Sequence, residues 1–500
     1  MVISVAPPGM GGMMEDKPKD RLSSGIPGYD EILEGGLLPR RAHLVRGGPG
    51  SGKTVFGLHF LSAGAMKGET SLLITLAEPE HLIRENAASL GFTLDGVEIL
   101  DLSPTSQFFT EVRAYDIFSP EEVEREPTTQ RIVEKVDSLQ PVRVFADSMT
   151  QFRYLATEPF QFRKQVLSFL RFLMERGSTV VFTSESSSVA PDDDLQFLAD
   201  GVTTLDNSTD ARTITVSKLR GSGYQRGRHA LRITERGLQV FPRLLPQTHR
   251  REFPVETVSS GVPAIDEMLH GGIERGSITL ISGPSGVGKT TFGSQFMKEA
   301  AGRGERSVVF AFDETKESFL TRSKRINIPV EPMIEQGNLA IVEVEPLRYT
   351  PDEFSSLVRD EVERRNARIV MLDSLAGIGI SLRGEQLNIH LHAIGRYLKN
   401  MGVTMILVAE VEHITGEFRI TDAKVSYLSD NVVFLRYLEV GGAIRKAIGV
   451  LKKRTGDFDK TLREFTITEY GVKVGEPLLK LRGMLRGVPE ISGNAAPGKP

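Results

Sequence analysis

The chain has no cysteine. That excludes a disulfide framework, a thiolate zinc site and a thiol nucleophile, and it suits a reducing cytoplasm. An excess of either charge sign is also missing: 61 Lys and Arg stand against 65 Asp and Glu, a net of −4. An obligate nucleic-acid coat would be basic, so that class is disfavoured, although a local basic channel remains compatible. No apolar run approaches the roughly 20 residues of a membrane-spanning helix, and the N-terminus has no signal-peptide core. The first 20 residues, rich in Met, Gly, Pro and charge, read as a flexible tail.

What is present is a glycine-rich pattern, twice. Gly47-Gly48-Pro49-Gly50-Ser51-Gly52-Lys53-Thr54 and Gly283-Pro284-Ser285-Gly286-Val287-Gly288-Lys289-Thr290, the latter followed by Thr291, both fit G-x-x-x-x-G-K-[ST]. The glycines let successive backbone N–H groups turn inward around phosphate oxygens. The lysine reaches the β- and γ-phosphates of a nucleoside triphosphate, and the threonine hydroxyl ligates Mg²⁺.

The two lysines stand 236 positions apart, and that offset holds without gaps upstream. Ser23-Ser24-Gly25-Ile26-Pro27 matches Ser259-Ser260-Gly261-Val262-Pro263, Asp30-Glu31 matches Asp266-Glu267, and Phe56-Gly57 matches Phe292-Gly293. The chain is therefore a tandem duplication of one domain, each copy of ordinary domain size. The expected boundaries are 21–242 and 257–486, joined by a proline-containing linker over 243–256 and followed by a tail over 487–500.

Short apolar runs at Ala42–Val45 and Ile278–Ile281 enter the loops, and helices are expected from Lys53 to Ala65 and from Lys289 to Ala301. Further strands are expected at Ser71–Leu76, Val142–Ala146 and Thr179–Thr183, and at Ser307–Phe312, Arg368–Leu372 and Val403–Val408. Strands alternating with helices predict an α/β fold, with a mainly parallel sheet in each copy. Alternating runs at Thr213–Val216 and Leu231–Thr234, and at Ala447–Leu451 and Glu464–Thr468, predict antiparallel strands at each sheet edge.

Asp147 and Asp373 end strands, where a carboxylate holds Mg²⁺ opposite the loop threonine. After the second apolar strand of each half the copies differ, with Ala77-Glu78 in the first and Asp313-Glu314 in the second. A carboxylate near the γ-phosphate orients or deprotonates an attacking hydroxyl, but strand-end surface acids are common and the residues alone leave both readings open. Lys218-Leu219-Arg220 and Lys452-Lys453-Arg454 recur late in each copy, and such cations facing a neighbour's triphosphate would act as arginine fingers do. His390 and His392 are not in a metal-ligand spacing and read as structural, while Asp192-Asp193-Asp194 reads as a solvated loop.

The tandem loops, the Ser-Ser-Gly-[Ile/Val]-Pro runs, Phe312-Asp313-Glu314-Thr315, Asp373-Ser374 and Ile420-Thr421-Asp422 ahead of Ser426 together resemble the KaiC family, from about Arg21 to about Glu490. The resemblance implies two tandem RecA-like P-loop NTPase domains, homo-hexamers with ATP between subunits, slow hydrolysis in the first ring and Ser/Thr autophosphorylation in the second. It places Asp313 and Glu314 beside the second-site ATP and Glu78 beside the first. It puts Lys218, Arg220, Lys452 and Arg454 on the neighbour's ATP, and makes Ser426 and Thr421 phospho-acceptors. KaiB-like or other signalling proteins are the implied partners. Tyr427 stands where the family has a second acceptor threonine, Ala77 where it has a carboxylate, and the tail is short for a KaiA-like partner. Three functions follow: ATPase and serine/threonine autokinase, ATP-driven interaction platform without kinase activity, and DNA-dependent ATPase, which the charge balance ranks last.

Overall fold

In a computed structural model of the 500-residue chain, the described residues are 20–104, 120–154, 159–185, 192–208, 211–382, 387–411, 427–440, 442–479, 481–482 and 490–491. The N-terminal tail, Thr421 and Ser426 and most of the C-terminal tail lie outside them. The chain divides into two compact units, Met1–Pro242 and Arg243–Pro500.

Among its described residues the first unit holds nine strands: β1 (Ala42–Gly47), β2 (Ser71–Thr75), β3 (Val97–Asp101), β4 (Arg143–Asp147), β5 (Thr179–Glu185), β6 (Gly201–Asn207), β7 (Arg212–Leu219), β8 (His229–Thr234) and β9 (Gly237–Phe241). They form one sheet in the order β3-β2-β4-β5-β1-β6-β7-β8-β9. Pairing is parallel from β3 across to β6 and antiparallel from β6 to β9. The central parallel strands β1, β2, β4 and β5 are buried along nearly their whole length because helices cover both faces, while the edge strand β3 has an exposed residue among the buried ones. Alternate residues divide between two cores: Ala42, Leu44, Val180 and Phe182 enter one, and Val45 and Val181 the other.

The second unit repeats this plan. A short pair, β10 (Thr257–Val258) and β11 (Ile273–Glu274), precedes β12 (Ile278–Gly283), β13 (Arg306–Ala311), β14 (Leu339–Glu343), β15 (Ala367–Asp373), β16 (Thr404–Glu410), β17 (Asn431–Val440), β18 (Ala443–Lys453), β19 (Arg463–Thr468) and β20 (Gly471–Pro477). The order β14-β13-β15-β16-β12-β17-β18-β19-β20 is that of the first sheet, strand for strand. The fold is thus two tandem RecA-like domains with antiparallel strands at one edge, as the alternating runs predict.

The segment expected as a linker packs on the second unit. Leu244 joins its core, Arg251 N–H donates to the Asn400 carbonyl at 3.0 Å, and the Asn400 amide donates to the Pro246 carbonyl at 2.7 Å.

Candidate nucleotide sites

Each loop leaves the carboxyl end of a central strand and runs into a helix, Lys53–Ala65 or Lys289–Gly302. The helix N-terminus therefore points its free N–H groups into the loop, where an anion is stabilised. Two glycine positions are dictated by geometry. Gly52 and Gly288 cap the helices at φ 102° and 115°, a left-handed conformation that suits glycine. A Cβ on Gly47 or Gly283 would lie 2.4 Å from the Leu205 carbonyl oxygen or 2.5 Å from that of Leu435, on the neighbouring strand.

Lys53 Nζ donates to the carbonyls of Gly47 (2.9 Å) and Gly48 (3.0 Å), and Lys289 Nζ to that of Pro284 (2.8 Å). Burial lowers both lysine pKa values, opposed by Asp147 and Glu185 at the first site and by Glu410 and Asp373 at the second. Glu185 and Glu410 stand level with Gly47 and Gly283 in the sheet register, a placement with no signature in the sequence. Thr291 is buried, with Val55 at the same place in the first copy.

The loop threonines meet the strand-end aspartates. Thr54 Oγ1 donates to Asp147 Oδ2 at 2.7 Å, and Thr290 Oγ1 to Asp373 Oδ2 at 2.6 Å. The Asp373 carboxyl is pushed up, burial being the largest cause, against the Thr290 hydrogen bond. The bonds Asp147–Ser148 and Asp373–Ser374 are both cis. One hydroxyl and one carboxylate per site are hard oxygen donors, the donor type that suits Mg²⁺. No group of three His, Cys, Asp or Glu able to hold a metal by themselves is found among the described residues. The buried Ser51 hydroxyl in the first loop has no hydrogen-bond partner, a polar cradle consistent with an oxyanion.

The acids flanking β2 and β13 are arranged differently in the two copies. At the second site Ser374 Oγ donates to Asp313 Oδ2 at 2.6 Å. At the first, Ala77 replaces that carboxylate and the buried Ser148 hydroxyl is unpartnered. Glu314 accepts from Ser318 Oγ (3.1 Å) and Arg322 Nη2 (2.8 Å). Glu78 accepts from Asn86 Nδ2 at 2.6 Å.

The recurring cations lie at the far end of each sheet from its own loop. Lys218 pairs with Val202, which is level with Leu44, and Lys452 pairs with Val432, level with Leu280. At about 3.3 Å per residue they sit roughly 10 Å back along the strand direction from Gly47 and Gly283, two strands across. Lys218 Nζ donates to the Gln196 carbonyl and Lys452 Nζ to that of Ser429. Arg220 and Arg454, more than half exposed, pair with Asp200 at 3.8 Å and Asp430 at 3.2 Å. A chain's Lys-x-Arg pair is therefore not part of its own phosphate site.

Other residues at the second loop escape sequence reasoning. Tyr437 OH donates to the Ser285 carbonyl (3.3 Å) and Lys446 Nζ to that of Gly286 (3.2 Å), from strands whose pattern announces only burial. One expectation is corrected: Asp192 is not solvated. It is 2% exposed and bonded to the Ser184 hydroxyl and to Arg46, because helix Asp193–Leu198 turns it under the sheet end. His390 lies 3.6 Å from Asp352, and His392 stacks on Tyr427.

Two units with mainly parallel sheets, each with a glycine-rich loop, a threonine and an aspartate hydrogen-bonded to it, define a tandem P-loop ATPase. The family model described as "ATPase: KaiC" matches residues 22–244 and again 258–478, so the chain belongs to the KaiC ATPase family. Among curated proteins it is 29% identical over 484 residues to the circadian clock oscillator protein KaiC of Parasynechococcus marenigrum (strain WH8102), covering 94% of this chain and 93% of that one. It is 28% identical over 486 residues to the circadian clock protein KaiC3 of Synechocystis sp. (94% of each). The same identity holds over 479 residues with the KaiC oscillator protein of Synechococcus elongatus, at 93% and 91% coverage. No helix among the described residues is long and apolar enough to cross a membrane.

Proposed function

We propose that the protein binds Mg–ATP at both loops, hydrolyses it, and transfers phosphate to its own Ser426 or Thr421 from the second site, as a cytoplasmic hexameric switch. The observation that carries this reading is the paired geometry of Thr54 with Asp147 and Thr290 with Asp373, each beside a lysine folded onto its loop. The backbone N–H groups from Gly48 to Lys53 and from Pro284 to Lys289 (proline excepted) orient the triphosphate. Thr54 with Asp147, and Thr290 with Asp373, would hold a Mg²⁺, which would supply charge neutralisation on the phosphate oxygens. Thr291 lies next to the second site's ligand threonine.

In hydrolysis a water oxygen attacks the γ-phosphorus as the bond to the β–γ bridging oxygen breaks, and Glu78 or Glu314 accepts the water's proton. ADP and phosphate leave. In autophosphorylation a serine or threonine oxygen replaces water, its proton passes to Glu314 or Asp313, and ADP alone leaves. The cations Lys218, Arg220, Lys452 and Arg454, remote from their own loops, complete the sites of adjacent copies. The clock and oscillator names of the relatives suggest a timing or signalling role with protein partners of the KaiB type.

Incubation with γ-labelled ATP, followed by phosphosite mapping, tests the reading. Label is expected on Ser426 or Thr421, lost in Lys289→Ala and retained in Lys53→Ala. ATP-dependent hexamers that turn over ATP without incorporating label would favour a platform without kinase activity, the reading that Tyr427 in place of an acceptor favours.

A further inference from the structure

The duplication lets each side chain around one site be compared with its counterpart around the other, and one difference stands out on the helix after each acidic strand end. Helix Lys316–Arg325 follows Glu314, and helix Glu80–Ser89 follows Glu78. Eight residues after the glutamate the second copy has Arg322 and the first has Asn86; four residues after it stand Ser318 and Leu82. The consequence is visible in the hydrogen bonds. Both carboxylate oxygens of Glu314 are engaged: Oε1 by the Ser318 hydroxyl and Oε2 by the Arg322 guanidinium at 2.8 Å, an ion pair with both partners about a third exposed or less. Glu78 has a single neutral donor, Asn86 Nδ2, on Oε1.

The guanidinium is itself held. It lies over the Phe319 ring at 5.0 Å, and its Nε is buried with no hydrogen-bond partner. A charge-assisted hydrogen bond is roughly twice as strong as a neutral one, so Glu314 is held more firmly than Glu78. A carboxylate serving as general base must offer a free lone pair to the attacking water.

We propose that Arg322 is a positioning residue that clamps Glu314 and so slows hydrolysis at the second site, while the first site, with Asn86 in its place, has no such clamp. This rests on the reading of Glu78 and Glu314 as the proton acceptors. The clamp disfavours loss of ATP to water, and transfer to a hydroxyl then relies on Asp313 as the proton acceptor.

The experiment measures steady-state ATP hydrolysis by the full-length chain carrying Glu78→Gln, which leaves the second site to be read alone. Adding Arg322→Asn, the first copy's own solution, is expected to raise kcat by roughly three- to tenfold with KM for ATP unchanged, a small part of the ~10²–10⁴ a positioned base contributes. Arg322→Lys, which keeps the charge, is expected to stay near the parent. In the converse background, Glu314→Gln, the change Asn86→Arg is expected to slow the first site. A gain in rate and a reciprocal loss are outcomes that mere damage to the fold does not produce together. If Arg322→Asn leaves kcat unchanged or lowers it while Glu78→Gln/Glu314→Gln abolishes hydrolysis, the base assignment stands and the clamp is overturned. If that double variant hydrolyses at the parental rate, the base assignment fails and the clamp falls with it.

Discussion

Ser148 and Ser374 follow the two strand-end aspartates, and their hydroxyls meet different surroundings. Ser374 accepts from Gly377 N–H at 3.2 Å, capping helix Leu375–Ser381, and donates to Asp313. Ser148 is buried with its hydroxyl unpartnered. Ser374→Ala removes a hydrogen bond to a carboxylate together with a cap, and is expected to cost about 1–3 kcal/mol in denaturant unfolding of the second unit. Ser148→Ala removes an unsatisfied group and is expected to fall within about 0.5 kcal/mol of neutral. Equal losses in the two variants would contradict this account. The residue scale is also where sequence reading has least purchase. The acids Glu78, Asp313 and Glu314 are legible because they follow apolar strands at matching places. Arg322 and Asn86 are not, because their relation to the glutamates depends on where the chain turns into the helix. Asp192 misleads for a similar reason: three consecutive aspartates look solvated until one is turned under a sheet end beside Arg46.

Among the elements, the parallel strands and the two helices after the loops are the most legible, since an uninterrupted apolar run next to a glycine loop has few other uses. Strands β3, β14, β9 and β20 carry weaker patterns, with exposed residues among the buried ones, and only the sheet order gives them away. One contact between elements makes the first unit acid-sensitive. His59, on the helix after the first loop, accepts the Leu238 N–H of β9 at 2.8 Å through Nε2. A proton on that nitrogen would face the N–H. Burial, the largest cause, lowers the His59 pKa to about 4, and likewise that of His43 on β1. A folded pKa below the unfolded 6.5 gives a contribution present in full above pH ~6.5 and lost as pH falls toward 4, up to about 3 kcal/mol for each histidine. At the same offset the second unit has Gln295 and Thr279. His59→Gln, which keeps an acceptor, is expected to flatten this acid loss. Urea unfolding of the first unit at pH 7.5 and 5 checks it, and an unchanged pH slope would dismiss the histidine as the cause.

Across the whole molecule, the duplication preserves strand order and loop geometry while the side chains that follow β2 and β13 have diverged. The first site has one acid and a neutral donor; the second has two acids, each held by a neighbour. The Lys-x-Arg pairs have kept one place in both copies, at the sheet end away from their own loop. This has a genetic consequence if adjacent copies share sites as proposed. A lesion in Arg454 would damage another chain's site and spare its own loop, whereas a lesion in Lys289 would do the reverse. Chains carrying Lys289→Ala and chains carrying Arg454→Ala, each inactive at the second site, should then complement one another when mixed and reassembled. A random equal mixture unites an intact loop with an intact arginine at roughly a quarter of the junctions in a closed ring. Recovery of about that share of phosphoryl transfer from two defective parents would mark the second site as joint property of two chains, and no recovery would return it to one.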